Sequence, residues 1–168
     1  LSRSEFDPWM VSGGTVLCEN GLWRMYYLSG MKFEWVDNKP RSFYDIKIAR
    51  SKDGINWDRN GEVALALAKN ESNISRLSII KENGKYFAWY PLKKTYNKGY
   101  RVGYAESDNG EKWQRKDNKV GIDVSPNSWD SESIDKMEVI SHKGTKYMLY
   151  NGNQFGKDGI GLAVLKNG

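Results

Sequence analysis

The sequence predicts an all-β fold, a β-propeller of four-stranded antiparallel blades with about three blades in this chain. Three observations predict it. Ile46–Arg59 matches Val102–Arg115 with Ala, Ser, Gly, Trp and Arg at identical offsets, and Ile160–Gly168 begins a third copy at nearly the same interval. Gly21–Tyr27, Gly84–Tyr90 and Gly144–Tyr150 form a second repeated block, each with Gly and Tyr six apart. The chain holds 7 Trp, 10 Tyr and 5 Phe, with 17 Gly and only 4 Pro. Aromatic residues favour half-buried pleated surfaces, and glycine favours tight turns. No long segment carries a 3.6 period, so essentially no helix is expected.

Each unit reads as strand, turn, strand, longer loop, strand, tight turn, strand. The first strands are Thr15–Cys18, Leu77–Ile80 and Met137–Ile140, each followed by a short polar turn. The Gly-to-Tyr blocks supply the second strands, and the Ala-Ser blocks the third. Asp53-Gly54, Asn83-Gly84 and Asn109-Gly110 are hairpin-turn dipeptides. Four short antiparallel strands recurring at a fixed period are a propeller blade, and five identities at fixed offsets argue against a β-sandwich. The chain then divides as a single propeller into units of roughly 7–69, 70–129 and 130–168. Gly168 is the counterpart of Gly54 and Gly110, so the outermost strand of the third unit is expected to be missing. Leu1–Phe6 aligns with the tail of an outermost strand. Open blade edges of this kind are expected to drive homo-oligomerisation, most simply as a two-fold dimer.

Composition narrows the chemistry. Lys and Arg number 26 against 21 Asp and Glu, a formal charge of +5. The two signs are interleaved, which argues for a solvated mixed surface rather than a nucleic-acid stripe. The small basic loop of Lys93, Lys94, Lys98 and Arg101, with Tyr96 and Tyr100, reads as solvated in the same way. Cys18 is alone, so there is no internal disulfide and no cysteine metal cluster. His142 is the only histidine, which removes a Ser-His-Asp triad and a histidine metal site. No glycine-rich phosphate loop leads into a helix. Neither cofactor nor metal is expected. No apolar run approaches the length that a membrane-spanning helix requires, so no helical span is expected. The compartment stays open.

The Gly-to-Tyr strand followed by Ile-Gly-x-Ala-x-Ser-x-Asp-Gly-x-x-Trp-x-Arg resembles the five-bladed propeller glycosidases. These include glycoside hydrolase families 43, 32, 62, 68 and 130 and their relatives. The resemblance covers residues 7–168 and is specific for the fold, much less so for activity. Tyr147–Asn153 with Gly159–Ala163 is similar to a third or later blade of such proteins, which carry about two blades more than this chain. Ser51–Trp57 and Ser107–Trp113 also resemble the sialidase Asp-box, although the first is one residue short and the second has Asn109 in place of Asp. In either family this hairpin is structural: Ser and Asp cap a turn and Trp packs. Asp53 and Trp57 therefore receive no catalytic role.

The resemblance places a ligand over the propeller axis, touched by the loops that lead into the innermost strands. Those loops are Asp7–Gly14, Asn70–Leu77 and Asp130–Met137, all of one length. Glycoside hydrolysis needs one carboxyl as acid and another as base or nucleophile, and Glu132, Asp135 and Asp7 are the candidates. Neither Glu132 nor Asp135 precedes the Gly-Pro or Ala-Pro pair of family 43. Asp7 and Asp130 would alternatively cap their loops. Arg76 stands where the sister units have Gly13 and Lys136. Its guanidinium could grip a carboxylate, a phosphate or vicinal hydroxyls, or pair with Glu132 or Glu71. Trp9 and Trp129 are loop-borne stacking candidates, whereas Trp89 reads as blade packing. Tyr150, Asn151 and Asn153 would offer hydroxyl or amide groups to a ligand, or serve a turn. The expected partner is carbohydrate. Hydrolysis of a glycosidic bond is one reading, and a non-catalytic carbohydrate-binding or scaffold propeller completed by oligomerisation is the other. Under the first, Arg76, Glu132 and Asp135 are expected to converge on one face.

Overall fold

The computed structural model describes residues 1–36 and 38–165, so Gly168 lies outside the described residues. The chain comprises two compact units, Leu1–Leu77 and Ser78–Gly168. The first holds β1 (Met10–Glu19), β2 (Leu22–Val36), β3 (Lys39–Ser51), β4 (Val63–Leu65) and β5 (Glu71–Ile74). Strands β1 to β4 form a meander in which every neighbour is antiparallel, as predicted for a blade. Strand β5 joins β3 in parallel through Tyr44 and Asn73, a pairing the repeat did not announce.

The second unit holds two sheets. Strands β6 (Ser78–Glu82), β7 (Lys85–Lys94), β8 (Arg101–Ser107) and β9 (Gln114–Arg115) make a four-stranded antiparallel meander. Strands β10 (Asp135–His142), β11 (Thr145–Asn151) and β12 (Ile160–Val164) make a sheet of three among the described residues. Among the described residues two short helical turns, Asp117–Lys119 and Asn153–Gly156, are the exceptions to the all-strand expectation.

The repeat governs register as well as composition. Tyr27 faces Lys47, Tyr90 faces Gly103 and Tyr150 faces Gly161, the same register position in each repeat. The glycines make room for the ring: a Cβ on Gly103 would lie 2.1 Å from Tyr90 Cε2, and one on Gly161 2.5 Å from Tyr150 Cζ. In the first sheet a buried lysine takes the glycine's place.

The first strands begin earlier than the hydrophobic pattern suggests, because β1 and β10 stay paired across a bulge. Register slips between Ser12 and Thr15 and between Asp135 and Glu138. Gly13 (φ 43°) and Lys136 (φ 50°), at equal offsets in the repeat, carry the left-handed kink. A bulge twists its strand and re-aims the side chains beside it. Asp135 is the residue immediately before the second one.

The hairpin turns are capped as expected. Ser51 Oγ accepts from the Gly54 amide at 2.9 Å, and Asp53 Oδ1 accepts from the amides of Ile55 and Asn56 at 2.8 Å. Ser107 and Asn109 repeat the arrangement with Gly110, Glu111 and Lys112. The backbone amides of Asn56 and Ile55 hold the Asp53 carboxyl well below the usual carboxylate range. In the second unit Trp89, Val102, Ile134, Met137, Val139, Met148 and Tyr150 form one buried apolar cluster.

Candidate functional site

In the second unit the predicted carboxylates Glu132 and Asp135 meet in one pocket of about 160 Å³. Lys93, Lys98, Gly99, Tyr100, Ser133, Gln154 and Phe155 complete its lining. The loop Lys98–Arg101 is stitched to the acidic loop: Ile134 N–H donates to the Tyr100 carbonyl at 3.0 Å, and Tyr100 N–H donates to Ser133 Oγ at 3.0 Å. Glu132 lies at the exposed rim, 3.2 Å from Lys98 Nζ. The basic loop read as merely solvated thus supplies one wall of the pocket.

Asp135 is the unusual group. Its residue is only 1% exposed, and neither carboxylate oxygen has a hydrogen-bond partner. Burial raises its pKa, and the nearby Lys136 opposes that rise only in part. Burial of a polar group without a partner costs on the order of 1–3 kcal/mol, so this carboxyl is held against its own solvation. Its backbone sits at the mouth of the bulge, opposite Asn151.

Other predicted residues of this unit hold the pocket together. Asn153 Oδ1 accepts from the amides of Glu132 at 2.7 Å and Ser133 at 3.1 Å, and the Asn153 backbone N–H donates to the Trp129 carbonyl. Asn151 Nδ2 donates to the Phe155 carbonyl at 3.0 Å. Trp129 stacks on Tyr150 with centroids 5.6 Å apart and an interplanar angle of 16°. Tyr150 in turn donates to Asp130 Oδ2 at 3.1 Å. Next to the two asparagine anchors, Gln154 and Phe155 reach the pocket.

The first unit sets its candidates in a different frame. Asp7 is fully buried. Its Oδ2 accepts from Arg59 Nη1 at 2.9 Å, Ser4 Oγ at 3.0 Å and Tyr27 at 3.4 Å, and Lys47 Nζ lies 3.5 Å from Oδ1. Lys47 also donates to Ser29 Oγ at 2.8 Å and to the Phe6 carbonyl. Burial, more than the neighbouring Asp7, pushes the Tyr27 hydroxyl up to about 12. Asp45 shares this interior, and burial raises its carboxyl to about 6 despite Lys47. Arg76 is exposed and donates to Thr15 Oγ1 at 3.4 Å. Trp9 is half exposed and meets Phe33 edge-on, centroids 5.4 Å apart.

Lys47, Arg59 and Asp45 were not read as site residues from sequence. Lys47 had a signal, since it replaces the glycine of both sister copies. Gln154 and Phe155 had only the neighbouring Gly156 and Gly159, which mark a turn and say nothing of a pocket.

No protein-family model matches the chain. The uncharacterized proteins MT1551 and Rv1502, from two strains of Mycobacterium tuberculosis, are each 33% identical over 168 residues, 99% of this chain and 54% of theirs. The chain therefore spans about half the length of these relatives. Zg3597, a family 117 glycoside hydrolase produced by the marine bacterium Zobellia galactanivorans, matches with a TM-score of 0.77 at 19% identity. The match covers 99% of this chain and 56% of that one. The fold is a glycoside hydrolase-like β-propeller. Sucrose-6-phosphate hydrolase from Lactobacillus gasseri aligns with the same propeller at a TM-score of 0.68 and 14% identity, over 92% of this chain and 30% of that one. At such identities the likeness establishes the propeller architecture alone. No helix of the propeller is long and apolar enough to cross a membrane among the described residues.

Proposed function

We propose that the chain is a glycan-active domain that hydrolyses a glycosidic bond, with Asp135 as proton donor and Glu132 as the second carboxylate of the same pocket. The observation that carries this reading is the buried, unpartnered carboxyl of Asp135, a residue that lines the same pocket as Glu132. A carboxyl whose pKa is raised by burial keeps its proton to a higher pH, which suits an acid that must protonate a leaving oxygen. Glu132, at the rim beside Lys98, is solvated and ion-paired and suits the complementary role. Asn153 holds the backbone amide of Glu132, and Asn151 is the strand partner of Asp135. Asp7, committed to Arg59, Lys47 and Ser4, anchors the loop that carries Trp9. Arg76 and Trp9 remain the candidates for glycan contact on their own unit.

The test is release of reducing ends from a panel of polysaccharides and of nitrophenol from aryl glycosides. Asp135→Asn and Glu132→Gln are each expected to lower turnover by at least about 10²-fold, the scale of general acid–base catalysis. A second reading, carbohydrate binding without turnover, draws on the buried ion pairs of Asp7, which make that carboxylate a structural anchor. Sugar binding by an inert wild-type chain selects that second reading. Neither binding nor turnover across the panel overturns both.

A further inference from the structure

The sheet β10–β12 turns one apolar face outward. Ile140 pairs with Tyr147, Tyr147 with Val164, and Leu149 with Leu162. Cross-strand partners and alternate residues of a strand share a face, so these five lie together. Ile140 is 50% exposed, Leu149 45% and Leu162 60%. A contiguous apolar face of this kind marks an interaction surface. The preceding meander of the same unit, β6–β9, shows what such a face takes. Its register equivalents are Ile80 paired with Phe87, and Trp89 paired with Tyr104. Those four pack in one cluster with Val139, Met148 and Ala163, and Trp89 is left only 8% exposed. Val139 pairs with Met148 and Met148 with Ala163, a Val-Met-Ala row running across three strands. One repeat earlier, then, the same face is covered by that row.

The chain carries the row a second time. In the first unit Val16 pairs with Met25 and Met25 with Ala49, the same three residue types at the same register. Val16 is 42% exposed and Met25 half-buried, so this row also presents apolar surface to solvent. We propose that the outer face of β10–β12 docks on the Val16-Met25-Ala49 face of a second copy of this chain. The contact joins two unlike patches, and each copy carries both. Two chains can therefore make it twice and close as a two-fold pair. Docking would remove Ile140, Leu149 and Leu162 from water, as the cluster of the second unit already removes Ile80, Phe87 and Trp89 in part or whole.

The experiment is sedimentation velocity on the whole chain across micromolar concentrations. Wild type is expected to self-associate reversibly. Leu162→Glu and Val16→Glu, one on each face, should each weaken association about tenfold or more. Circular dichroism and urea midpoints should stay at the wild-type values, since both side chains are already largely exposed. Trp35→Ser, 77% exposed on the β2–β3 hairpin, should leave association unchanged. The deciding measurement mixes the two glutamate variants. The Val16→Glu chain keeps an intact β10–β12 face and the Leu162→Glu chain an intact Val-Met-Ala row, so the mixture should associate where neither variant does alone. A wild-type chain that stays monomeric overturns the proposal. So does loss of association in Leu162→Glu but not in Val16→Glu, which would mean that the β10–β12 face docks on itself. Equal sensitivity to Trp35→Ser would show general stickiness, and a mixture that fails to associate would rule out the pairing of these two faces.

Discussion

The hydroxyl of Tyr150 donates to Oδ2 of Asp130, twenty residues upstream, at 3.1 Å. Tyr27 and Asp7 repeat the arrangement at the same separation and a longer 3.4 Å. Each tyrosine ends the Gly-to-Tyr block of its strand, and each aspartate opens the loop leading into the innermost strand, so the bond ties one to the other. The two differ in how much else holds the carboxylate. Asp130 Oδ2 is also served by Ser125 at 3.2 Å, whereas Asp7 has Arg59, Lys47 and Ser4.

Tyr150→Phe should therefore destabilise by about 1.5–3 kcal/mol, the range for a hydrogen bond to a charged group. Tyr27→Phe should cost less, because two cations and a serine remain on Asp7. Urea midpoints at unchanged m-value measure both. A larger loss for Tyr27→Phe would refute the ranking.

Gly103 bears directly on the core. A methyl there would stand 2.1 Å from Tyr90 Cε2, and the Tyr90 ring sits in a fully buried site. Gly103→Ala should cost about 1–3 kcal/mol through overpacking. Combining it with Tyr90→Leu should recover part of that loss, since the smaller side chain vacates the contested space. Additive losses in the double mutant would mean that the clash is not the cause.

The repeat made the fold legible. Offsets of Gly, Tyr, Ala, Ser and Trp place strands, turns and even the Tyr-to-Gly register, because each is demanded by local geometry that recurs along the chain. Glu132 and Asp135 were legible as positions in a loop shared by three units. Their convergence with Lys98, Gln154 and Phe155 was not, since a wall made by a loop some thirty residues earlier leaves no local pattern. Lys47 was visible as a broken rule: a lysine where sister copies keep glycine. Phe155 left no trace, because nothing in its side chain announces a left-handed backbone.

Asp45 gives the first unit a pH-dependent stability. Burial raises its carboxyl to about 6 against Lys47, with Asp7 adding to the rise. The folded chain therefore binds a proton that the unfolded chain has already released. Stability is complete below the ordinary aspartate value and is lost as pH rises from about 4 through 6, a total of about 3 kcal/mol. Asp45→Asn should flatten that slope and be the more stable protein at pH 8. Parallel stability-versus-pH curves for wild type and variant would remove Asp45 as the source.

Asp135 should show the same sign in the second unit, coupled to function. Its carboxyl is raised by burial and faces Lys136 as the opposing charge. Folding therefore favours the protonated form, and stability declines as pH rises through the folded value. Asp135→Asn removes the buried negative charge, so the variant should unfold at higher urea than wild type at pH 8. Below the unfolded aspartate pKa of about 3.9 the two should converge, because both sites are then neutral. Turnover should move the opposite way, falling about 10²-fold or more in the variant, and in wild type falling as pH rises through the same raised value. Stability gained where activity is lost is the mark of a group kept for chemistry rather than for folding. An Asp135→Asn chain that is less stable at pH 8 would show instead that this carboxylate supports the fold.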